Sequence, residues 1–503
     1  VNSERRMAPT SIHLQLDAGS PRLADDEQLG AAAAAAKNGN AHLLARIGGQ
    51  ELGVADADGY MGRHPNIVIK RGSSCTREEV VCAVLQSLLR RSPSTRHSIL
   101  HSDSPFWLLD VGRTQQLMAE WTAAFPRVRP FYAVKCNNHP LFLRTLASAQ
   151  AGFDCASKEE LQQITSLGVS SERIVFANAC KLQSHMEFAT AAGVHLTTFD
   201  SETELHKIKK SMAPNKVKLL LRIETNDEGA TIRLSSKYGA YMEEVPALLR
   251  SAREAGLAVV GVSFHIGSGA MNPNAFEEAI ANARSVFELG NQLLEKPMYV
   301  LDIGGGFCSS GEELKEGSTG GGLSAWDVAP MINKALDGYF PDQSTNIAGV
   351  NGCNSCSDEK KIEIIAEPGR YFACAPFTLV TRIFGKRVRG SRREYWINDG
   401  AHHSFTMILL PHNTPVPPPI PFACASKPYN TSCQGLPLFP TNVFGPTCSA
   451  LDTLLKGHPL PELEIGDLLA FPFMGAYTNS LATSFNGFAV SSQIPAFGFA
   501  VAE

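Results

Sequence analysis

The sequence predicts an α/β fold in which a (β/α)8 TIM-like barrel is followed by a C-terminal all-β domain. The first observation is that short β-prone runs alternate with helical stretches from about residue 78 to 385, as parallel strands and their crossover helices do. The second is that helical periodicity fades after residue 385, where short strand-like runs are separated by proline-rich turns. The third is the length of 503 residues, which is enough for two or more domains.

The barrel is predicted from β-prone runs that have helical stretches between them. Apolar residues at helical spacing begin near Glu78 and include Val80, Val84 and Leu88. Further helices are predicted at residues 158–167 and 275–293. Because the catalytic groups of such a barrel lie where its strands end, the ends of the runs are candidate site positions. The runs are residues 106–110, 131–135, 152–156, 174–177, 196–199, 217–223, 259–265, 299–303 and 362–366.

The chain is expected to divide into an N-terminal extension and three ordered parts. Residues 1–70 are polar and include an alanine run, so they are predicted to form a disordered extension. Residues 71–112 are expected to lead into the barrel and to pack with the β domain. The barrel, which is the predicted cofactor-binding domain, takes residues 113–385. A β-sandwich or barrel-like domain takes residues 386–503.

Glycine- and serine-rich inserts mark loops within these parts. Residues 308–323 and 341–360 are predicted to be surface loops. The second insert contains Cys353 and Cys356, but no second cysteine pair accompanies them, so a loop is a better interpretation than a metal or redox site. No metal site is predicted elsewhere. The strand-like runs of the β domain are residues 395–398, 405–410, 467–471 and 487–490.

Composition and charge argue against several kinds of partner. The net charge of −4 and the isoelectric point near 6.4 give no basic surface of the kind that binds nucleic acid or anionic membranes. No apolar run approaches the roughly 20 residues of a membrane helix. The 12 cysteines are scattered and no charged-then-apolar signal segment leads the chain, so reduced thiols and a cytoplasmic location are expected.

A lysine at the end of a predicted strand is the first candidate for chemistry. Lys135 follows the run Pro-Phe-Tyr-Ala-Val at residues 130–134, which would place its amine at the C-terminal end of a barrel strand. A lysine in that position can bond covalently to a carbonyl compound. A single such lysine is more often a side chain whose stem packs while its charge reaches solvent. The interpretation therefore depends on its neighbours.

Glycine-rich turns after later strands indicate that a phosphate group is bound. The turn Gly304 to Gly306 directly follows a strand, and glycines let backbone N–H groups approach an anion closely. In the turn Glu367-Pro-Gly-Arg370, the arginine can pair with a phosphate, and a buried glutamate needs a cationic partner. His265 ends another strand and is followed by small residues. Together with a strand-end lysine, these features describe a pyridoxal phosphate site.

These motifs resemble, in order and in character, those of the eukaryotic ornithine decarboxylase family, the barrel-fold (fold type III) pyridoxal phosphate decarboxylases. The resemblance covers the chain from about residue 78 to 500. It implies a carboxy-lyase that uses pyridoxal 5'-phosphate and acts on a small amino acid. The motifs that carry it are residues 130–137, 152–157, 262–269, 301–307, 364–370, 445–452 and 474–488.

The resemblance implies a role for each matched residue. Lys135 would bind the cofactor covalently, with Asp154 beside it and Arg222 near the cofactor. His265 would stack on the pyridine face, and Glu367 would bind the ring nitrogen. The residues that would hold the phosphate are Ser268, Gly304, Gly305, Gly306, Gly369, Arg370 and Tyr477.

The resemblance also implies a homodimer whose two active sites are shared between the subunits. Cys448 would reach the site from the second subunit and help to return a proton to the substrate's Cα. Phe485 would line the same cleft. An antizyme-type regulator is a further partner that the family suggests.

The substrate positions depart from the family pattern. Relatives that decarboxylate ornithine carry two aspartates for its distal ammonium, one in a Tyr-Asp pair before a histidine and one after the active-site cysteine. Here Leu410 and Pro411 replace the pair, and Ser449 replaces the second aspartate. Asp399 or a water molecule could compensate. The sequence thus predicts a decarboxylase retuned to a substrate without a simple distal ammonium. The alternatives are an ornithine decarboxylase that makes putrescine for polyamine biosynthesis and a non-catalytic regulator like the antizyme inhibitors.

Overall fold

A computed structural model of the chain describes residues 13–15, 43–47, 50–54, 67–70, 76–90, 103–309, 322–342, 361–410, 415–424, 433, 435–488 and 496–502. The predicted disordered extension lies largely outside the described residues, as do most of the two inserts, the Cys353 and Cys356 pair, and Pro411. Within the extension, the backbone forms the strands His13–Gln15, Leu43–Ile47, Gln50–Val54 and Ile67–Lys70.

Eight parallel strands in the middle of the chain close into a barrel, so the predicted (β/α)8 fold is confirmed. The barrel closes where the eighth strand pairs with the first, with Ile364 opposite Val128 and Ala366 opposite Pro130. Its interior contains a layer of buried apolar side chains that includes Phe131, Leu220 and Ile365. In chain order the strands are Val128–Ala133, Gly152–Cys155, Ile174–Phe176, Leu196–Phe199, Lys218–Arg222, Ala258–Ser263, Val300–Asp302 and Glu363–Ala366.

Helices surround the barrel and begin where a side chain can accept a free backbone N–H. The hydroxyl of Ser157 accepts the N–H of Glu160, and that of Ser324 accepts the N–H of Asp327. The helices predicted at residues 158–167 and 275–293 are confirmed. In the described ranges, no helix is both long enough and apolar enough to cross a membrane. The barrel helices are Val111–Ala124, Pro140–Ser148, Lys158–Ser166, Gln183–Ala191, Glu202–Ser211, Val245–Glu254, Asn274–Leu293, Ala325–Tyr339 and Arg370–Ala373.

The second part of the fold is a large sheet, which confirms the predicted all-β domain. Its long strand Phe377–Arg389 pairs with Phe106–Asp110, with Arg392–Ile397 and with Leu468–Phe471. The β-prone run at 106–110 therefore belongs to this sheet and not to the barrel, and the predicted boundary at residue 385 falls inside a strand. The helix Arg77–Arg90 buries its apolar side against the same sheet. The remaining strands are Ile420–Phe422, Leu438–Phe444, Thr453–Pro461 and Ala496–Ala502, joined by the N-terminal His13–Gln15 and Ile67–Lys70.

Two strand-like runs predicted for the β domain are wrong. Residues 405–410 contain the 3-10 helix Thr406–Leu409, and Gly487 ends the 3-10 helix Phe485–Gly487. In the first turn, the N–H groups of Thr406 and Ile408 donate to the carbonyls of His403 and Phe405, and the hydroxyl of Thr406 also donates to His403. These backbone groups therefore need no neighbouring strand. Residues 489 and 490 lie outside the described part of the chain.

Candidate active site

The C-terminal ends of the barrel strands and one loop of the β domain enclose a cavity. Most of the sequence-predicted cofactor residues line it, although they are distributed over more than 340 positions of the chain, from Lys135 to Tyr477. The lining residues are Ala133, Lys135, His265, Ser268, Gly269, Gly306, Phe307, Cys308, Glu367, Gly369, Arg370 and Tyr477.

Lys135 lies two residues beyond the end of its strand, whereas the sequence predicts it as the last residue of that strand. The first barrel strand ends at Ala133, and the lysine is in the single 3-10 turn Val134–Cys136. The hydroxyl of Tyr132 donates to the carbonyl of Asn137 at 2.9 Å, which fixes the far end of the turn. The turn directs the amine into the cavity, where the side chain is 41% exposed.

The amine of Lys135 forms an ion pair with Asp154, a fully buried residue of the second barrel strand. Burial by itself lowers the pKa of the lysine, but the carboxyl groups of Asp154 and Glu367 outweigh it and raise the pKa above its ordinary value. The amine of Lys135 therefore stays positively charged, and its ion pair with Asp154 fixes the direction in which it points. One oxygen of Asp154, Oδ1, is buried without a hydrogen-bond partner.

Two further acids end the neighbouring strands. Glu367 follows the eighth strand, and burial raises its pKa well above the ordinary range. Asp302 is the last residue of the seventh strand, and burial raises its pKa to about 7. The N–H of Gly304 donates to Oδ1 of Asp302 at 2.9 Å. Asp302 is not among the site residues predicted from the sequence, although an acid at the end of an apolar strand is a recognisable signal.

His265 presents a neutral imidazole to the cavity. The N–H of Gly267 donates to its Nδ1 at 3.0 Å, which leaves the ring proton on Nε2. Burial, with the cations of Arg222 and Lys135, lowers the pKa of His265 to about 3. The hydroxyl of Thr225 holds the backbone carbonyl of His265 at 2.8 Å. A neutral flat ring can stack on an aromatic ligand without adding a charge.

Glycines let the backbone close on the phosphate end of the cavity. Gly304 and Gly306 have φ values of +64° and +104°, which side chains disfavour. A Cβ on Gly305 would lie 2.7 Å from Nε2 of His265. At Gly369 a Cβ would meet the side chains of Ala133 and Cys136 and the hydroxyl of Tyr477, at 3.1 to 3.4 Å.

Tyr477 belongs to the β domain but is fixed against the barrel. Its N–H donates to the carbonyl of Cys136 at 3.0 Å, in the turn that carries Lys135. The side chain of Asn137 donates to the carbonyl of Gly475 at 2.8 Å. A Cβ on Gly475 would lie 1.8 Å from the carbonyl of Ala373, so only glycine permits this approach. The guanidinium carbon of Arg370 lies 5.3 Å from the ring centre of Tyr477.

A two-stranded sheet supports the loop that carries Ser268. The strands Ala230–Ile232 and Ser268–Ala270 pair antiparallel, and Asp227 anchors the connection by accepting the N–H and the hydroxyl of Ser235. Arg222 ends the fifth barrel strand nearby. Its guanidinium carbon lies 5.0 Å from the ring centre of Tyr238.

Leu410, Ser449 and Phe485, the predicted substrate residues that the structure describes, lie with Cys448 in loops and short turns and do not line the cavity around Lys135. Both the N–H and the thiol of Cys448 point to Oδ1 of Asn486, each at 3.3 Å. Phe485 is 43% exposed and its ring centre lies 4.4 Å from that of His402. Leu410 is half-buried.

The loop acids near Cys448 are already engaged. Oδ1 of Asp399 accepts the N–H groups of Gly400 and Ser404, and its Oδ2 accepts the hydroxyl of Ser404. Asp452 accepts the N–H of Ala401 at 2.7 Å and, through its other oxygen, the N–H and hydroxyl of Thr447. Both acids are about 2% exposed, so they hold the loops together.

The cavity fits pyridoxal phosphate in its donor set and in its shape. Among the described residues, Oδ1 of Asp154 and Oδ2 of Asp302 are buried without a hydrogen-bond donor, as expected where a cationic group belongs. Glycine turns leave room for an anion beside Arg370, and His265 is neutral and flat. In the described part of the chain, no group of three or more His, Cys, Asp or Glu side chains is arranged to hold a metal ion.

A family model supports this fit. The model of the pyridoxal binding domain of pyridoxal-dependent decarboxylases matches residues 111–374. The chain is 47% identical over 397 residues to the chloroplastic ornithine decarboxylase of Nicotiana glauca, which spans 79% of this chain and 84% of that protein. It is 38% identical over 436 residues to the ornithine decarboxylase of Mus pahari, spanning 83% of this chain and 87% of that protein.

Solved structures agree with the family model. The arginine decarboxylase of Paramecium bursaria Chlorella virus, bound to agmatine, superposes with a TM-score of 0.69 at 33% identity, covering 84% of this chain and 100% of that one. The lysine/ornithine decarboxylase of Vibrio vulnificus, complexed with putrescine, superposes with a TM-score of 0.66 at 26% identity, covering 84% and 99%. The substrates in these names differ in the distal group of the amino acid.

Proposed function

This chain belongs to the ornithine decarboxylase family of pyridoxal-dependent decarboxylases, and from that premise we propose that it removes the α-carboxylate of an amino acid whose side chain does not end in a simple ammonium. The enzyme class, a carboxy-lyase with pyridoxal phosphate as cofactor, follows from the family. The choice of substrate is inferred from the residues at the outer end of the site.

Pyridoxal phosphate, when bound, supplies an electron sink for the pair left behind when the bond to the carboxylate breaks. Lys135 would hold the cofactor covalently, and Asp154 would orient the amine. The neutral ring of His265 would pack on the cofactor's face. Glu367 would pair with the ring nitrogen. The phosphate would be held by Ser268, Gly304, Gly305, Gly306, Gly369, Arg370 and Tyr477.

The observation that carries the substrate proposal is that, among the described residues, no available carboxylate lies beside Cys448. Ser449 stands where ornithine-specific relatives have an aspartate, and its hydroxyl accepts the N–H of Leu451 at 3.2 Å. Asp399 and Asp452 are buried, and their oxygens accept hydrogen bonds from the loops around them. None of these groups offers a free charge to a distal ammonium.

The expected size of this effect decides against ornithine as the preferred substrate. A hydrogen bond to a charged group contributes roughly 1.5 to 3 kcal/mol. Losing both carboxylates therefore weakens recognition of the ammonium by roughly 3 to 6 kcal/mol, or about two to four powers of ten. Leu410 and Phe485 are apolar, which favours a neutral side chain in the substrate.

A substrate panel tests the proposal. The purified enzyme with pyridoxal phosphate is given basic, neutral and acidic amino acids, and carbon dioxide release is measured for each. Reduction with borohydride followed by peptide mapping measures cofactor occupancy at Lys135 in the same preparation. We expect a non-basic amino acid to give a kcat/KM at least about a hundredfold above that of ornithine. Ornithine as the best substrate at full occupancy would contradict the proposal.

Ornithine decarboxylation is the second candidate. It is supported by the 47% identity to a protein named ornithine decarboxylase, of which the chain covers 84%. Its product would be putrescine, for polyamine biosynthesis. The same panel separates the two, because background putrescine formation by fully loaded enzyme excludes this candidate. A regulator without catalysis, by contrast, would show no borohydride-trapped cofactor at Lys135.

A homodimer with shared sites is also part of the proposal. It is supported by the exposure of Cys448 and Phe485, neither of which is among the residues that line the cavity of their own chain, so both are available to a second subunit. The test mixes an inactive Lys135→Ala protein with an inactive Cys448→Ala protein. Shared sites predict that exchange of subunits restores about a quarter of the wild-type activity. No recovery after demonstrated exchange would show that each chain builds its own site.

A further inference from the structure

Two buried carboxyl groups face each other at the ends of adjacent barrel strands. Asp302 ends the seventh strand and Glu367 follows the eighth, and these strands are paired with Asp302 opposite Ile365. Asp302 is fully buried, and Glu367 is 9% exposed. Paired residues of neighbouring parallel strands lie on the same face, so Asp302, Ile365 and, two residues further on, Glu367 are placed on the inner face of the barrel. Burial and the charges of Asp154 and Asp302 raise the pKa of Glu367. Two carboxylates can only accept hydrogen bonds, so a proton held between them would relieve their repulsion.

The backbone fixes this pair in position. The N–H of Gly304 holds Oδ1 of Asp302 at 2.9 Å, and the N–H of Glu367 donates to the carbonyl of Gly304 at 2.6 Å. Oδ2 of Asp302 is buried and has no hydrogen-bond partner among the described residues. This oxygen is therefore available to share a proton with Glu367.

The charges around the pair explain why it keeps a proton. Asp154 faces both acids and disfavours their ionisation, whereas Lys135 and Arg222 favour the ionisation of Glu367. Three carboxylates against two cations would leave one net negative charge in a buried cluster. One retained proton makes the cluster neutral, which is the cheaper state away from water.

We propose that Asp302 is a positioning residue for the cofactor: with Glu367 it holds one shared proton until the cationic ring nitrogen of pyridoxal phosphate takes that proton's place. The proton leaves to solvent, and both carboxyl groups then face the ring nitrogen as carboxylates. The inference concerns cofactor binding alone. It therefore stands or falls independently of which amino acid the enzyme decarboxylates.

The pH dependence of cofactor affinity tests the proposal. The full-length protein is freed of cofactor, and its Kd for pyridoxal phosphate is measured between about pH 5 and 8 in wild type, in Asp302→Asn and in Asp399→Asn. Asp399 is the matched control, because it is also buried and also has a pKa raised to about 7, but it lies in the β domain. The cofactor's own ionisations are common to all three proteins and cancel in the comparison.

As the pH falls through the range in which the pair holds its proton, we expect the wild-type affinity to fall, relative to Asp302→Asn, by roughly a further tenfold for each pH unit. Asp399→Asn is expected to follow the wild type. A ratio of the wild-type and Asp302→Asn affinities that stays constant across the pH range would overturn the proposal, because it would reduce Asp302 to a structural residue.

Infrared difference spectroscopy gives a second test that needs no variant. Adding pyridoxal phosphate to the cofactor-free wild type at about pH 6 should remove the carbonyl stretching band of one protonated carboxylic acid. Other buried acids that stay protonated, such as Asp110 and Asp399, do not contact the cofactor and cancel. An unchanged carboxylic acid band at pH 6 would rule out a displaced proton.

Discussion

The cofactor end and the substrate end of the site are built in different ways. At the cofactor end, side chains sit on the rims of barrel strands, are mostly buried and balance one another's charge, as Lys135 and Asp154 do. At the substrate end, Cys448, Ser449 and Phe485 stand on loops of the β domain, and their polar partners are loop atoms. On the proposed function, the cofactor end, here called the rigid end, would determine which bond breaks. The substrate end, here called the loop end, would determine which amino acid is brought to it.

This difference explains how a relative can change its substrate while keeping its chemistry. A substitution at a strand rim disturbs a buried charge cluster or a tight backbone approach, and both penalties are large. A substituted side chain in a loop can find a hydrogen-bond partner within the loop, as the hydroxyl of Ser449 does when it accepts the N–H of Leu451. The loops can therefore vary without loss of the cofactor site.

The largest effect is expected at Lys135. Changing Lys135→Ala removes the covalent attachment, so carbon dioxide release should fall by at least roughly three powers of ten. Lys158→Ala, an exposed lysine that begins a nearby helix, serves as the control and should keep wild-type activity. Substantial carbon dioxide release by Lys135→Ala would contradict the claim that covalent attachment of the cofactor at Lys135 is needed for decarboxylation.

A somewhat smaller loss is expected at Glu367. Glu367→Gln keeps the shape but removes the charge that would face the ring nitrogen, and kcat should fall by about two to three powers of ten. Glu363→Gln is the matched control from the start of the same strand, where the acid makes an exposed ion pair with Arg129. Steady-state kinetics at saturating cofactor compares the two, and equal losses in both would point to simple destabilisation of the strand.

Asp399 tests whether the acids of the loop end are structural. Burial raises its pKa to about 7 from an ordinary value near 3.8. The unfolded chain therefore loses this proton at a lower pH than the folded chain does, so the folded state becomes less stable as pH rises from about 4 to 7. The slope is on the order of 1 kcal/mol per pH unit.

Asp399→Asn should flatten the fall of the melting temperature over that pH range. It should leave the ranking of amino acid substrates unchanged, because Asp399 binds Gly400 and Ser404 and not the substrate. Thermal melts at a series of pH values and the substrate panel measure both outcomes. A changed ranking would mean that Asp399 does reach the distal group.

The smallest effects are expected from two glycines. Gly369→Ala would press a methyl group against Cys136 and the hydroxyl of Tyr477, and should weaken cofactor binding by roughly tenfold. Gly338→Ala places the same methyl in open space on a helix and should stabilise the protein by about 0.5 to 1 kcal/mol. Cofactor titration and thermal melts distinguish these outcomes. Wild-type cofactor affinity in Gly369→Ala would show that the backbone around Gly369 has room for a methyl group.

Much of the rigid end could be predicted from the sequence, because strand ends and glycine turns leave local patterns. The barrel strands and the gathering of Lys135, Glu367 and Arg370 follow from apolar runs that end in polar residues. The exact position of the lysine did not follow, because its turn is held by Tyr132 and by the distant Tyr477, which no local pattern encodes.

The loop end was harder to predict for the same physical reason. Residues 405–410 have the composition of a strand, but the N–H groups of Thr406, Ile408 and Leu410 donate to carbonyls three residues earlier in the chain, as in a 3-10 helix. The engagement of Ser449 by Leu451 also depends on a loop conformation. Only the absence of the two aspartates was visible in the sequence.

The central claim, that the loop end alone sets the substrate, is tested most directly by restoring the two aspartates. In the double variant Pro411→Asp with Ser449→Asp, kcat/KM for ornithine should rise by at least about a hundredfold over the wild type. Cofactor occupancy at Lys135 should stay the same. An unchanged or lower kcat/KM for ornithine in a fully loaded double variant would contradict the account.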